Sequence, residues 1–215
     1  MTDSIDKSDT ERNLGGRPAI TSAHQLAAAA QRLFLVHGFE QTSVDDIATA
    51  VGVSRRTFFR YFPTKADVLW VETPAEFARL QDNLAASPDG EPYRDTIVRA
   101  VLAALWFPPE QREWALHRAQ LIFTVPAVRS LASSRFTEWR MIAAEFAGVR
   151  FGQPADALLP LAVGHAVLAG TLTGHEYWVA HPDEDLFDAL ERALTLLLPR
   201  EPEDPLEPGR KGTPV

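Results

Sequence analysis

Three arginines within six residues, Arg55, Arg56 and Arg60 in SRRTFFRYF, are the residues best placed for chemistry, and that chemistry is recognition. A guanidinium presents a planar fork of donors that matches guanine edges in the major groove and phosphate oxygens alike. Thr57 and Phe59, in the same stretch, could touch a thymine methyl or a sugar. Thr42 and Ser43 stand where a preceding helix should begin, and the N–H groups and dipole of a helix start favour a phosphate. Lys65, after Pro63-Thr64, fits a phosphate clamp. A second group, His165, His175, Glu176 and His181, is the raw material of a metallohydrolase. There is no H-E-x-x-H, and ten residues separate His165 from His175, almost three helical turns and too far for one metal. Ser133-Ser134 has no nucleophile-elbow context, and no G-x-G-x-x-G or Walker loop occurs. With no cysteine, disulfides, thiolate metal sites and a cysteine nucleophile are excluded. A His-dependent helical hydrolase is therefore the weaker alternative, the chain is not expected to be an enzyme, and nothing in it calls for a cofactor.

The elements that must position these residues are short capped helices. Ser43 precedes VDDIATAV and has Asp46 three residues on, the spacing of a capping box. Ile47, Ala48 and Val51 give that helix an apolar face, Gly52 permits a turn, and Ser54 caps the next helix. Phe58 and Phe62 lie four apart and can pack inward, which leaves Arg55, Arg56, Thr57, Phe59 and Arg60 for other faces. Two capped helices joined by a glycine turn, with cations in the first turn of the second, describe a helix-turn-helix. A bracing helix is expected after Thr21 as cap, with Leu26, Ala30, Leu33, Phe34 and His37 on one face and Gly38 as its stop. A fourth helix should start at Thr64, with Asp67 completing its capping box, and Pro74 should kink it near Thr73.

From GRP at Gly16–Pro18 through LAAAAQRLFLVHGFEQTSVDDIATAVGVSRRTFFRYFPTKADVL, the chain resembles the N-terminal domain of the TetR family of bacterial transcriptional regulators. VPAVRSLASSRFTEWRMIAAEF and YWVAHPDEDLFDALERAL are similar to the subgroup containing the mycofactocin-system regulator, whose members are associated with acyl-CoA-like ligands. The resemblance implies an all-α fold, a homodimer bound to double-stranded operator DNA, and release by a hydrophobic or acyl-CoA-like effector, with a regulator of another ligand class, such as drugs or aromatic compounds, as the alternative. It implies DNA contacts from Arg17 in an N-terminal arm, where Arg12 also stands, and from Thr42, Ser43, Ser54, Arg55, Arg56, Thr57, Phe59, Arg60 and Lys65. Many members carry tyrosine where this chain has Phe59, which cannot donate to a phosphate. In the family the last two major helices, here about 154–180 and 183–198, pair with those of a second chain. Ala162, Gly164, Ala166, Ala169 and Gly170 in the first and Leu186, Leu190, Leu194 and Leu197 in the second suit such packing.

Charge shows the same division. The chain carries a net −8, but residues 12–66 hold seven Lys/Arg against three Asp/Glu, whereas residues 71–215 hold 13 against 21. A basic head on an acidic body favours DNA contact at one end and argues against a non-specific nucleic-acid coat. Residues 1–14 and 199–215 lack a core pattern and are expected to be disordered, the head to span 15–65 and the body 66–198. No apolar run approaches a membrane span and no targeting segment is evident, so a cytoplasmic protein without membrane contact is expected. In the body, helices are expected at 93–107, 110–123, 127–150, 154–180 and 183–198, the last capped by Asp183. Trp106, Phe107, Trp114, Phe123, Phe136, Trp139, Phe146 and Trp178 could line a pocket, with His117, Arg118, Arg135, Arg140 and His165 as polar fixers. Aromatics at helical spacing serve equally well as ordinary core.

Overall fold

A computed structural model describes residues 22–88 and 90–200, and every regular element among them is helical. The head opens with α1 (Ala23–His37), capped by Ser22, whose hydroxyl accepts the Gln25 N–H while Gln25 bonds back. The expected cap, Thr21, lies outside the described residues. Then come α2 (Val44–Val51) and α3 (Arg55–Tyr61), capped by Ser43 and Ser54 as the spacing predicts. Gly52 has φ +72°, a left-handed conformation that a side chain would strain, and so ends α2 abruptly enough for α3 to turn across it. Phe58 is fully buried and Phe62 nearly so. Burial of such a ring contributes about 1.5–3 kcal/mol, and the pair holds α3 against α1 and the linker in one apolar cluster with Leu26, Phe34 and Ile47.

Thr64 and Asp67 do form a capping box, but the element it opens is a 3-10 helix (Lys65–Trp70), which breaks at Val71-Glu72 before α4 (Thr73–Ala85). Pro74 is therefore not a kink inside a helix. It occupies the first turn of a new one, where the missing N–H has no intrahelical acceptor to lose. The head cluster does not stop at this linker; it takes in Leu121, Ile122, Val128 and Ala132 from the body.

The body continues with α5 (Tyr93–Leu105), a 3-10 turn (Pro109–Gln111), α6 (Arg112–Thr124), α7 (Pro126–Leu131), α8 (Ser133–Phe151), α9 (Leu158–Ala180) and α10 (Leu186–Leu197). Two expectations are corrected here. The segment expected as one helix at 127–150 breaks at Ala132 into α7 and α8, and the cap of α10 is Asp185, which accepts from the N–H groups of Phe187 and Asp188. α9 packs between α8 and α10. A Cβ on Gly174 would stand 2.9 Å from the Leu190 Cα, and one on Gly164 would stand 2.6 Å from the Arg140 carbonyl, so both glycines are needed for close helix approach. By length and composition α9, at 23 residues, could cross a membrane, contrary to the sequence expectation. Here its apolar surface is used against neighbouring helices, with Val163, Val167 and Trp178 buried.

Candidate nucleic-acid interface and effector cavity

On α3, Arg55, Arg56, Phe59 and Arg60 are exposed and Thr57 is half-buried, as a recognition surface requires. Arg55 donates to Asp45 on α2 at 2.9 Å and lies over the Phe59 ring, which also meets Phe58 edge-on. Such an exposed pair contributes little to stability, so it orients the guanidinium without committing it. Arg60 stacks on Tyr61 and donates to its hydroxyl at 3.2 Å. Arg56 makes no hydrogen bond or ion pair with any of the described residues. Ser54 accepts the Thr57 N–H at 3.1 Å, and their hydroxyls lie 2.9 Å apart.

Two of the expected phosphate contacts look inward. Thr42 is buried, and its hydroxyl donates to the Gly38 carbonyl at 2.8 Å, so it closes the α1–α2 turn and does not face a phosphate. Lys65 directs its ammonium at three carbonyls, those of Phe39, Thr42 and Glu40 at 2.6, 3.1 and 3.4 Å, and lies over the Phe39 ring. An ammonium has three donors; a direct phosphate bond would have to replace one of these. Ser43 is exposed at the start of α2, its hydroxyl donating to Asp46. The carboxyl of Asp46 is lowered first by that side-chain hydrogen bond and then by the Ser43 N–H. Arg17 and Arg12 lie outside the described residues.

Behind the head, a cavity of about 420 Å³ opens among the linker, α4, the end of α5, α6, α8 and α9. All five tryptophans of the chain, Trp70, Trp106, Trp114, Trp139 and Trp178, line it. The volume falls within the range of small-molecule sites. Of the expected fixers and aromatics, Trp106, Phe107, Trp114, Arg118, Phe123, Arg135, Phe136, Trp139 and Trp178 are in the wall. Trp106, 60% exposed, stands at the mouth. Four expectations are corrected. His165 is exposed on the outer face of α9; His117 faces Glu113, one turn before it; Phe146 packs in the second apolar cluster; and Arg140 is not in the wall. Helical periodicity alone does not say which side of α6, α8 or α9 faces the void.

The polar part of the wall is built from pairs that sequence reading could not foresee. Arg118 donates through Nε to the Leu69 carbonyl at 2.7 Å and through its terminal nitrogens to both oxygens of Glu76, at 2.5 and 3.1 Å. Burial alone would push the Glu76 carboxyl up, but the charge and hydrogen bonds of Arg118 outweigh it and hold it below the usual carboxylate range. His175 is the residue most clearly missed. Its Nδ1 lies 2.8 Å from the Thr171 carbonyl, to which only a protonated Nδ1 can donate, and its ring stacks on Phe123. Burial pushes its pKa down, and with the nearby Arg118 charge it outweighs the hydrogen bond to the Thr171 carbonyl, which would raise it. The ring is therefore neutral at pH 7, with Nε2 as an acceptor. Trp139 donates to the Thr171 hydroxyl at 3.1 Å, whereas the buried indole N–H groups of Trp70 and Trp178 have no acceptor among the described residues. Among the described residues no cluster of His, Asp and Glu could hold a metal ion.

Residues 26–69 match the bacterial regulatory proteins, tetR family, and residues 91–202 match the MftR C-terminal domain. The chain is 30% identical, over 85% of its own length and 92% of the relative's, to MftR of Mycobacterium tuberculosis, a protein named for transcriptional regulation of mycofactocin biosynthesis. Its fold resembles that of Thermus thermophilus FadR, a TetR-family repressor solved in complex with lauroyl-CoA (TM-score 0.50, 24% identity, covering 86% of this chain and 99% of that one). It also resembles the fold of SmeT, solved with triclosan (TM-score 0.57, 17% identity, 82% and 91% covered). A helix-turn-helix head, an MftR-type body and a relative matched over nearly its whole length make this chain a member of the TetR family of bacterial transcriptional regulators.

Proposed function

We propose that the protein is a homodimeric repressor whose head, residues 15–65, reads operator DNA and whose body, residues 66–198, releases it on binding a hydrophobic effector. The observation that carries this reading is the cavity. It is lined by every tryptophan, and it abuts the one segment, 65–76, that joins the head to the body. Arg56, free of protein partners among the described residues, and Arg55, oriented by Asp45, are the residues for base readout. Ser43, Ser54, Thr57, Phe59 and Arg60 flank them, and Lys65 acts chiefly by holding the α1–α2 turn. Arg17 belongs to the proposed N-terminal arm. Two recognition helices reading one operator need a two-fold partner about one duplex turn away, roughly 34–36 Å.

The dimer face is proposed on α9 and α10, but on a different set of side chains from most of those the sequence suggested. Gly164, Gly170, Leu186, Leu190 and Leu194 are committed inside the chain. What α9 leaves exposed is a stripe at helical spacing, Leu158, Ala162, His165, Ala169 and Thr173, and α10 leaves Leu196 and Leu197 exposed. Small residues flanked by exposed leucines suit close packing of helices from a second copy.

Effector binding acts as a population shift. A ligand that prefers the dimer state with the wrong head spacing weakens DNA binding by its differential affinity, typically about 1–3 kcal/mol. The lauroyl-CoA carried by the FadR relative supports an acyl-CoA-like effector, and the aromatic wall supports aromatic compounds as the second class. The test is a DNA mobility-shift titration at fixed salt, on the intergenic segment beside the protein's own gene, with and without a long-chain acyl-CoA and with triclosan as comparison. Saturable binding relieved by acyl-CoA is expected, as is a loss of about 1–3 kcal/mol in Arg55→Ala or Arg56→Ala. Unchanged operator affinity in both variants would remove these arginines from readout, and binding that ignores both compounds would overturn the proposed effector classes.

A further inference from the structure

One cation in the cavity wall is also a fastener of the head. Arg135, on α8, lines the cavity, lies over the Trp70 ring at 4.8 Å, and donates to Asp67 Oδ1 at 2.8 Å and to the Leu131 carbonyl at 3.1 Å. Asp67 is the capping residue of the linker: its other oxygen accepts from the Thr64 N–H and hydroxyl at 2.9 and 2.7 Å, directly after α3 and Pro63. The Asp67 carboxylate is thus divided between the start of the linker and a body arginine that also faces the void.

The rest of the charged wall is accounted for differently. Arg118 is engaged through Nε and both terminal nitrogens, and its partner Glu76 is neutralised by it. Glu72, also in the wall, faces His24 of α1 at 2.6 Å. Arg79 binds the Ala104 carbonyl, within the body. Among the described residues, Arg135 is the wall cation whose carboxylate partner caps the segment leading out of α3. Beside it, the buried Trp70 indole N–H has no acceptor among the described residues, a donor that a rearranged wall could satisfy.

We propose that Arg135 is a latch, and that the effector is an amphipathic anion whose carboxylate or phosphate takes Arg135 from Asp67. Losing this partner loosens the cap of the linker and frees the head from α8. The apolar chain or ring of the same molecule fills the tryptophan-lined volume. A neutral molecule of equal length would occupy the cavity and leave the latch closed. This inference rests on the reading of the cavity as an effector site.

Because all five tryptophans line the cavity, intrinsic fluorescence of the full-length protein reports occupancy without knowledge of the operator. Dodecanoate, dodecyl phosphate and 1-dodecanol share one tail and differ in head group. At least one anion should bind roughly tenfold or more tighter than the alcohol, as a charge-assisted hydrogen bond to a guanidinium provides. Arg135→Gln should abolish that preference while keeping dodecanol affinity. Asp67→Asn, which removes the competing carboxylate, should tighten anion binding severalfold and leave dodecanol unchanged. Amide hydrogen exchange over residues 64–70 should quicken with the preferred anion and not with dodecanol. Equal binding of all three probes, or unaltered anion affinity in Asp67→Asn, would overturn the latch and leave the cavity an effector site. No fluorescence response to any probe would overturn both.

Discussion

Replacing Arg118 by methionine tests whether the buried pair in the cavity wall is coupled as its geometry states. The two side chains are 15% and 12% exposed, and the carboxylate receives two bonds from one guanidinium. At about 3 Å and an effective dielectric near 20, their attraction is on the order of 5 kcal/mol, set against the cost of desolvating both ions. Removing one partner strands the other, and breaking such a pair costs about 3–5 kcal/mol. For a chain of this size that is a fall in Tm of roughly 6–20 °C. The double variant Arg118→Met/Glu76→Leu replaces the pair with apolar groups and should recover most of the loss. The pH dependence carries a second signature. Without Arg118, burial raises the Glu76 carboxyl above its unfolded value, so the folded state binds the extra proton and the deficit shrinks as pH falls from 7 toward 5. Urea denaturation of the four members of the cycle at pH 7 and pH 5 measures each term. A single-variant deficit below about 1 kcal/mol, or a double variant as unstable as the sum of the singles, would refute the reasoning.

Two other perturbations probe the α9 face and the cavity histidine. Ala169→Arg places a charge in the exposed stripe of α9 and, if the proposed dimer packs there, should reduce the mass measured by light scattering toward the 23.8 kDa of one chain, with circular dichroism unchanged; an unchanged dimeric mass would move the proposed interface elsewhere. Burial lowers the pKa of His175, so below about pH 6.5 the unfolded chain takes up this proton more readily than the folded one. Stability should therefore fall as pH drops from 7.5 to 5.5, with a slope of at most about 1.4 kcal/mol per pH unit from this group, and His175→Gln should flatten it. An unchanged slope in the variant would place the titrating group elsewhere.

The head was legible because its signals are local. A serine three residues before an aspartate, a glycine between two short apolar patterns and two phenylalanines four apart each specify something about the backbone within a single turn. The caps at Ser43 and Ser54, the left-handed Gly52 and the buried Phe58 and Phe62 all result from that. The all-helical body and most helix boundaries were readable for the same reason. Where local signals competed, sequence failed by a few residues: Asp185 prevailed over Asp183 as a cap, and Pro74 opened a helix that it was expected to kink.

The destinations of side chains were decided by the tertiary structure. Thr42 and Lys65 have residue types suited to phosphate, yet packing between α1 and the linker turns both toward backbone carbonyls. His165 and His175 lie on one apolar helix, and only the placement of α6 and α8 puts the first outside and the second in the cavity wall. Glycines and leucines that read as a dimer seam became the α8–α9–α10 packing, because three helices must approach closely before any face is left for a second copy. By itself the sequence determined the reading head, the helical body and the family. Pairings across 42 to 68 residues of chain, Arg118 with Glu76 and Arg135 with Asp67, depend on distances that no local pattern encodes.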